Sequence, residues 1–87
     1  MPDALPGYHL RVIERGIAGE SSKIHEEIHE LHDAELQGVR IMALVELSDI
    51  IGAVSLYLEH HFPDFSLSDL EAMAAVTARA FRNGHRS

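Results

Sequence analysis

The chain has 87 residues, 46% apolar and 24% charged, with no cysteine and a formal net charge of −7. One domain fits that length, and so small a core without disulfides calls for a second copy or a metal ion to complete it. The lack of cysteine removes disulfide frameworks, thiolate zinc sites and cysteine nucleophiles, while fourteen Asp and Glu against seven Lys and Arg argue against a nucleic acid polymer as partner.

Residues 1–7 form a loose leader punctuated by Pro2, Pro6 and Gly7, with no basic start and no apolar run of the kind a signal peptide carries. The expected location is the cytoplasm. Leu10, Ile13 and Ile17 then recur at helical spacing, which predicts a short leader helix closed by Gly16 and Gly19. Ser21 and Ser22 offer N-caps for a second helix from about Lys23, with an apolar stripe of Ile24, Ile28 and Leu31. Gly38 interrupts before a third helix from about Val39 to about His61. Phe62-Pro63-Asp64 stops it, because proline disfavours helical geometry in the residue before it. The last helix opens on a capping box of Ser68 and Glu71, carries Leu70, Met73, Thr77 and Phe81 along one side, and ends at Asn83-Gly84. No segment alternates like a strand. The fold class is all-α: one domain over residues 1–87, whose helical hairpin core is completed into a four-helix-type bundle by oligomerisation, as a homodimer or homotetramer.

The third helix carries the strongest chemical signal. Ile41–Leu58 spans eighteen residues, of which only Glu46 and Asp49 are charged. A helix apolar nearly all round is expected to be buried on most sides. A bilayer is disfavoured, since both carboxylates would sit near the middle of the span. Ser48, Gly52 and Ser55 line one side, and the helix-weakening Gly52 predicts something packed against it. Positions three apart on a helix point the same way, so Glu46 and Asp49 share a site, and two enclosed carboxylates need a cation. Packing the Ile24/Ile28/Leu31 stripe against this helix brings Glu27 and Glu30 toward them. Four carboxylates without cysteine make an oxygen cage suited to Mg²⁺, with Mn²⁺ able to substitute. Set against this, two glutamates in the first turns of a helix are often only a solvated face that complements the helix dipole.

Glu27-Ile-His-Glu30, fifteen intervening residues, and Glu46-Leu-Ser-Asp49 together resemble the Glu-x-x-Glu … Glu-x-x-Asp signature of the MazG-like, all-α nucleoside triphosphate pyrophosphohydrolases. The flanking Gly19-Glu20-Ser21-Ser22-Lys23-Ile24, Ala43-Leu44-Val45 and Thr77-Ala78-Arg79-Ala80-Phe81 are similar to those of the compact, phage-type members. The resemblance implies hydrolysis of a nucleoside or deoxynucleoside triphosphate between the α and β phosphates, to monophosphate and pyrophosphate. A purine deoxynucleotide such as dGTP is the expected substrate. It also implies that Glu27, Glu30, Glu46 and Asp49 ligate Mg²⁺. Glu26 becomes an outer or water-activating carboxylate, so that Glu26 and Glu27 form the catalytic pair.

A triphosphate needs fixed cations as well. Lys23, one turn before Glu27, and Arg79, Arg82 and Arg86 near the C-terminus are the candidates; the arginines equally suit the dipole at a helix C-terminus. Two rival readings stand beside the enzyme. One is a non-catalytic helical oligomerisation module with a structural divalent ion. The other is a transition-metal protein built on His25 and His29, which with His32 form a stripe on the opposite flank of the second helix. His60 and His61 read as helix-end residues.

Overall fold

The computed structural model describes residues 9–82. Three helices follow one another: α1 (Ser21–Gln37), α2 (Arg40–His61) and α3 (Leu67–Arg82). Among the described residues there is no strand. The all-α reading therefore holds for one chain.

Residues 9–20 are not helical. The predicted leader helix is replaced by an extended strap laid along α1, because side chains of α1 capture backbone groups that a helix would need. The backbone N–H of Leu10 donates to Asp33 Oδ2 (3.0 Å), and that of Gly16 to Glu26 Oε1 (2.8 Å). Glu26 and Asp33 lie seven residues apart, so they project from the same face of α1. Ile13 is the strap's buried apolar anchor. At its end, Gly19 has a φ of +89°, and a Cβ added there would lie 2.7 Å from the His60 ring. The positive φ is what favours glycine there, and any side chain would also have to push the exposed His60 ring aside.

α1 begins at Ser21, two residues before the predicted start, with Glu20 in the N-cap position and no side-chain cap. Ser22 Oγ instead accepts the backbone N–H of Ile17, holding the end of the strap (3.0 Å). At the other end Gly38, at a φ of +74°, closes α1 by donating to the carbonyls of Ala34 and Glu35. Two residues, Gly38 and Val39, then return the chain into α2, and the two helices pack together as the hairpin. α2 ends at His61, just ahead of Pro63 as expected.

The cap of α3 lies two residues earlier than predicted. Asp69 accepts the backbone N–H of Ser66 (2.8 Å), while Ser66 Oγ accepts the backbone N–H of Asp69 (3.4 Å). Ser66 and Asp69 therefore form the capping box that Ser68 and Glu71 were expected to supply. α3 packs on α2 and does not touch α1, with Leu70 and Met73 joining Val54, Tyr57, Leu58, Phe62 and Phe65 around an apolar groove. Asn83, Gly84, Arg86 and the leader 1–7 lie outside the described residues.

Two packing expectations are overturned. The buried face of α1 is not the Ile24/Ile28/Leu31 stripe but its acidic neighbour: Glu26, Glu27, Asp33 and Ala34 are buried, whereas Ile24 and Leu31 are half-buried and Ile28 is exposed. In α2 only Glu46, Ala53 and Leu58 are buried. Ile41 (65% exposed) and Leu44 (60%), with Val45, Ile51 and Leu56, form an open apolar stripe that runs beside Ser48 and Gly52. Among the described residues nothing lies within 4 Å of a Cβ placed on Gly52, so the partner expected to pack against it is not found there. Among the described residues two short helices and a strap are there to cover a 22-residue apolar rod, and most of its circumference stays uncovered by them. By length and composition α2 would also suffice to cross a membrane.

Candidate metal centre

The acidic face of α1 meets α2 at one point. Glu27 and Glu30 lie one turn apart on α1, and Glu46 and Asp49 one turn apart on α2. Each of the four offers a carboxylate oxygen, and these oxygens all lie within 4.8 Å of one another. Sequence spacing anticipated this convergence, although the face that carries it is not the one expected. Glu46 is 3% exposed and Glu27 5%, while Glu30 is half-buried and Asp49 lies on the open side. Among the described residues nothing hydrogen-bonds to Glu27 Oε1 or Glu46 Oε1. A buried carboxylate oxygen without a donor is costly, and two members of one acidic cluster each carry such an oxygen, which leaves a hole in the charge balance.

The electrostatics register that hole. Burial, followed by hydrogen bonding to Glu27 and by the charges of Glu27 and Glu26, lifts Glu30 from the usual 4.5 to about 8; Lys23 pulls it back only in part. Burial, followed by the charge of Asp49 and hydrogen bonding to it, lifts Glu46 from 4.5 to about 7. Without a compensating cation the cluster holds protons at neutral pH. A divalent ion would supply that charge, and a donor set of four carboxylate oxygens is what a hard cation such as Mg²⁺ or Mn²⁺ takes.

Glu26 stands beside the cluster rather than in it. Its Oε1 accepts the Gly16 N–H and its Oε2 the Lys23 ammonium (3.1 Å), and Lys23 Nζ also reaches Glu27 Oε2 at 3.5 Å. Burial lowers the affinity of Lys23 for its proton, but hydrogen bonding and charge from Glu26 and Glu27 outweigh this and hold its pKa above the usual value. Lys23 is thus a partly exposed, permanent cation at the rim. Arg79 and Arg82 are exposed in the last turn of α3, on a helix that makes no contact with α1; one chain does not gather them with Lys23 at the cluster. Arg86 lies outside the described residues.

Two residues at the site escaped the sequence reading. Asp33 is fully enclosed and accepts from Leu10 N–H, the Gln37 amide (3.1 Å), Arg11 Nε (3.4 Å) and His9 Nδ1 (2.9 Å). Burial alone would raise its pKa, but bonds from Leu10, His9 and Gln37, with the charge of His9, hold it below the usual carboxylate range. His9 is buried, and its Nε2 lies 3.3 Å from Glu46 Oε2 and 3.8 Å from Glu30 Oε1. The only sequence signal for either was Asp33 extending the Glu26/Glu30 face by one turn.

The histidine stripe of α1 is exposed, with ring centroids of successive members 5.9 and 6.5 Å apart. Among the described residues the convergent ligand groups are the four carboxylates and the set His9, Glu30 and Glu46; neither contains His25, His29 or His32. No family model, curated protein or solved structure matches the chain.

Proposed function

We propose that the protein is a Mg²⁺- or Mn²⁺-dependent pyrophosphohydrolase of nucleoside triphosphates, releasing monophosphate and pyrophosphate, of the MazG-like kind that its two acidic motifs resemble. The observation that carries the reading is the meeting of Glu27, Glu30, Glu46 and Asp49 with two buried oxygens left unpartnered. A divalent ion bound by these four supplies charge neutralisation for a polyphosphate and acidifies a water for attack.

The chain's own groups divide the remaining work. Asp49 is exposed and Lys23 half-buried; a polyphosphate reaches the ion from the Asp49 side, and the Lys23 ammonium beside Glu27 is the nearest fixed cation on α1. Glu26, whose Oε1 accepts the Gly16 N–H and whose Oε2 accepts Lys23, aims the Lys23 ammonium. Glu27, with Oε1 unpartnered, is the acceptor for the proton of the attacking water. The exposed stripe of α2 supports assembly into a dimer or tetramer, in which Arg79 and Arg82 of a neighbouring copy become available to the phosphates.

The test is incubation of the full chain with Mn²⁺ or Mg²⁺ and a panel of ribo- and deoxyribonucleoside triphosphates, with monophosphate and pyrophosphate as the readout. Turnover is expected, purine deoxynucleotides foremost, and it disappears with chelator, with Glu46→Ala and with Asp49→Ala. An ion that raises the melting temperature while no nucleotide is hydrolysed identifies a structural metal module instead.

A further inference from the structure

We propose that His9, through Nε2, joins Glu30 and Glu46 in holding a metal ion, and that this nitrogen shifts the site toward first-row transition ions; the inference rests on the metal site proposed above, with which it shares Glu30 and Glu46. Asp33 Oδ2 accepts the backbone N–H of Leu10, a group that can only donate, at 3.0 Å. The same oxygen faces His9 Nδ1 at 2.9 Å, so Nδ1 carries a hydrogen and Nε2 is the nitrogen left for an ion. Nε2 is thereby turned toward Glu46 and Glu30. A carboxylate behind one imidazole nitrogen and an ion before the other is the usual outer-shell arrangement of a metal-bound histidine.

The spacing fits. With bonds of about 2.0–2.2 Å, an octahedral ion separates neighbouring ligand atoms by about 3 Å and opposite ones by about 4.3 Å. His9 Nε2 lies 3.3 Å from Glu46 Oε2 and 3.8 Å from Glu30 Oε1, inside that range. Burial excludes His9 from the solvent that would otherwise solvate its ring. Carboxylates alone suit Mg²⁺ and Mn²⁺, whereas an added imidazole favours Mn²⁺, Co²⁺ and Zn²⁺ over Mg²⁺. His9 belongs to the strap, not to the hairpin, so the strap closes the coordination shell.

The experiment is electron spin-echo spectroscopy of the full chain loaded with Mn²⁺, at natural abundance and with ¹⁵N-labelled histidine. The expected result is a nitrogen coupling that changes on labelling, persists in His25→Ala/His29→Ala and vanishes in His9→Gln. His9→Gln is expected to weaken Mn²⁺ binding by about tenfold or more, with a smaller change for Mg²⁺. Mn²⁺ bound without nitrogen coupling, or with coupling that survives His9→Gln, overturns the ligand assignment and leaves the carboxylate site standing; a protonated His9 that merely pairs with Glu46 gives this outcome. Failure of the native chain to bind Mn²⁺, or equal binding by Glu46→Gln, removes the carboxylate site and this inference with it. Should His9→Gln not fold, Zn²⁺ titration of the native chain decides, because a His9 Nε2 resonance unmoved by saturating Zn²⁺ overturns the proposal.

Discussion

Replacing Glu46 by glutamine is expected to stabilise the ion-free protein at pH 8 while abolishing its response to a divalent ion. Glu46 has a proton affinity raised from 4.5 to about 7 by burial and by Asp49. A folded-state value above the unfolded one means that the native chain binds more protons between those limits, so stability falls as pH rises through the window. Below about 4.5 the penalty is absent; above about 7 it is complete. At about 1.4 kcal/mol for each tenfold change in proton affinity, the gross penalty is roughly 3 kcal/mol. Solvent screening around the exposed Asp49 and loss of the carboxylate's contact with His9 reduce this to about 2 kcal/mol. For a chain of this size the variant then melts roughly 10 °C above the wild type at pH 8 in chelator, and level with it at pH 4.5. Mn²⁺ at a hundred times its dissociation constant stabilises the wild type by about 2.7 kcal/mol and leaves the variant unmoved. Circular dichroism melts in chelator and in Mn²⁺ at the two pH values read all four quantities. A variant that melts below the wild type at pH 8, or that gains as much from Mn²⁺, refutes the account of Glu46 as a carboxylate awaiting a cation.

Ion binding must displace the protons that Glu30 and Glu46 hold up to about 8 and about 7. Titration calorimetry in buffers of differing ionisation enthalpy is expected to find one to two protons released per Mn²⁺ at pH 6, with affinity rising from pH 5 to 8 and levelling above; a pH-independent affinity contradicts this. Asp33→Asn leaves the strap without its fourfold acceptor and is expected to cost about 2–4 kcal/mol in urea unfolding at pH 7. Because Asp33 is held below its usual 3.8, its contribution is complete above that value and lost as pH falls below it, so the gap between wild type and variant closes in acid. Leu44→Glu together with Ile51→Glu places charge on the open stripe of α2 and is expected to reduce the proposed dimer or tetramer to monomers in sedimentation, without loss of helix content.

The helices, the break at Gly38, the stop before Pro63 and the two carboxylate pairs were legible in the sequence because each depends on local geometry. The N-terminal segment was misread, since its helical spacing competes with long-range acceptors: Asp33 and Glu26 take the N–H groups of Leu10 and Gly16. The buried side of α1 was misread because an apolar stripe normally turns inward. Here a histidine, a lysine and backbone donors compensate enough of the acidic side to bury it instead. His9 could not be placed, as it lies 21 residues before Glu30 with no periodic relation to it. Ser66/Asp69 and Ser68/Glu71 satisfy the same capping pattern, and that pattern alone does not choose between them.

Asp49 sits on α2 between the inward-facing Glu46 and the uncovered row of Ile41, Leu44 and Ile51. Whatever settles on that row also lies next to Asp49, the exposed member of the carboxylate cluster. Under the proposed function, self-association and substrate access would share one helix edge, and the rate per chain is then expected to vary on dilution rather than stay constant.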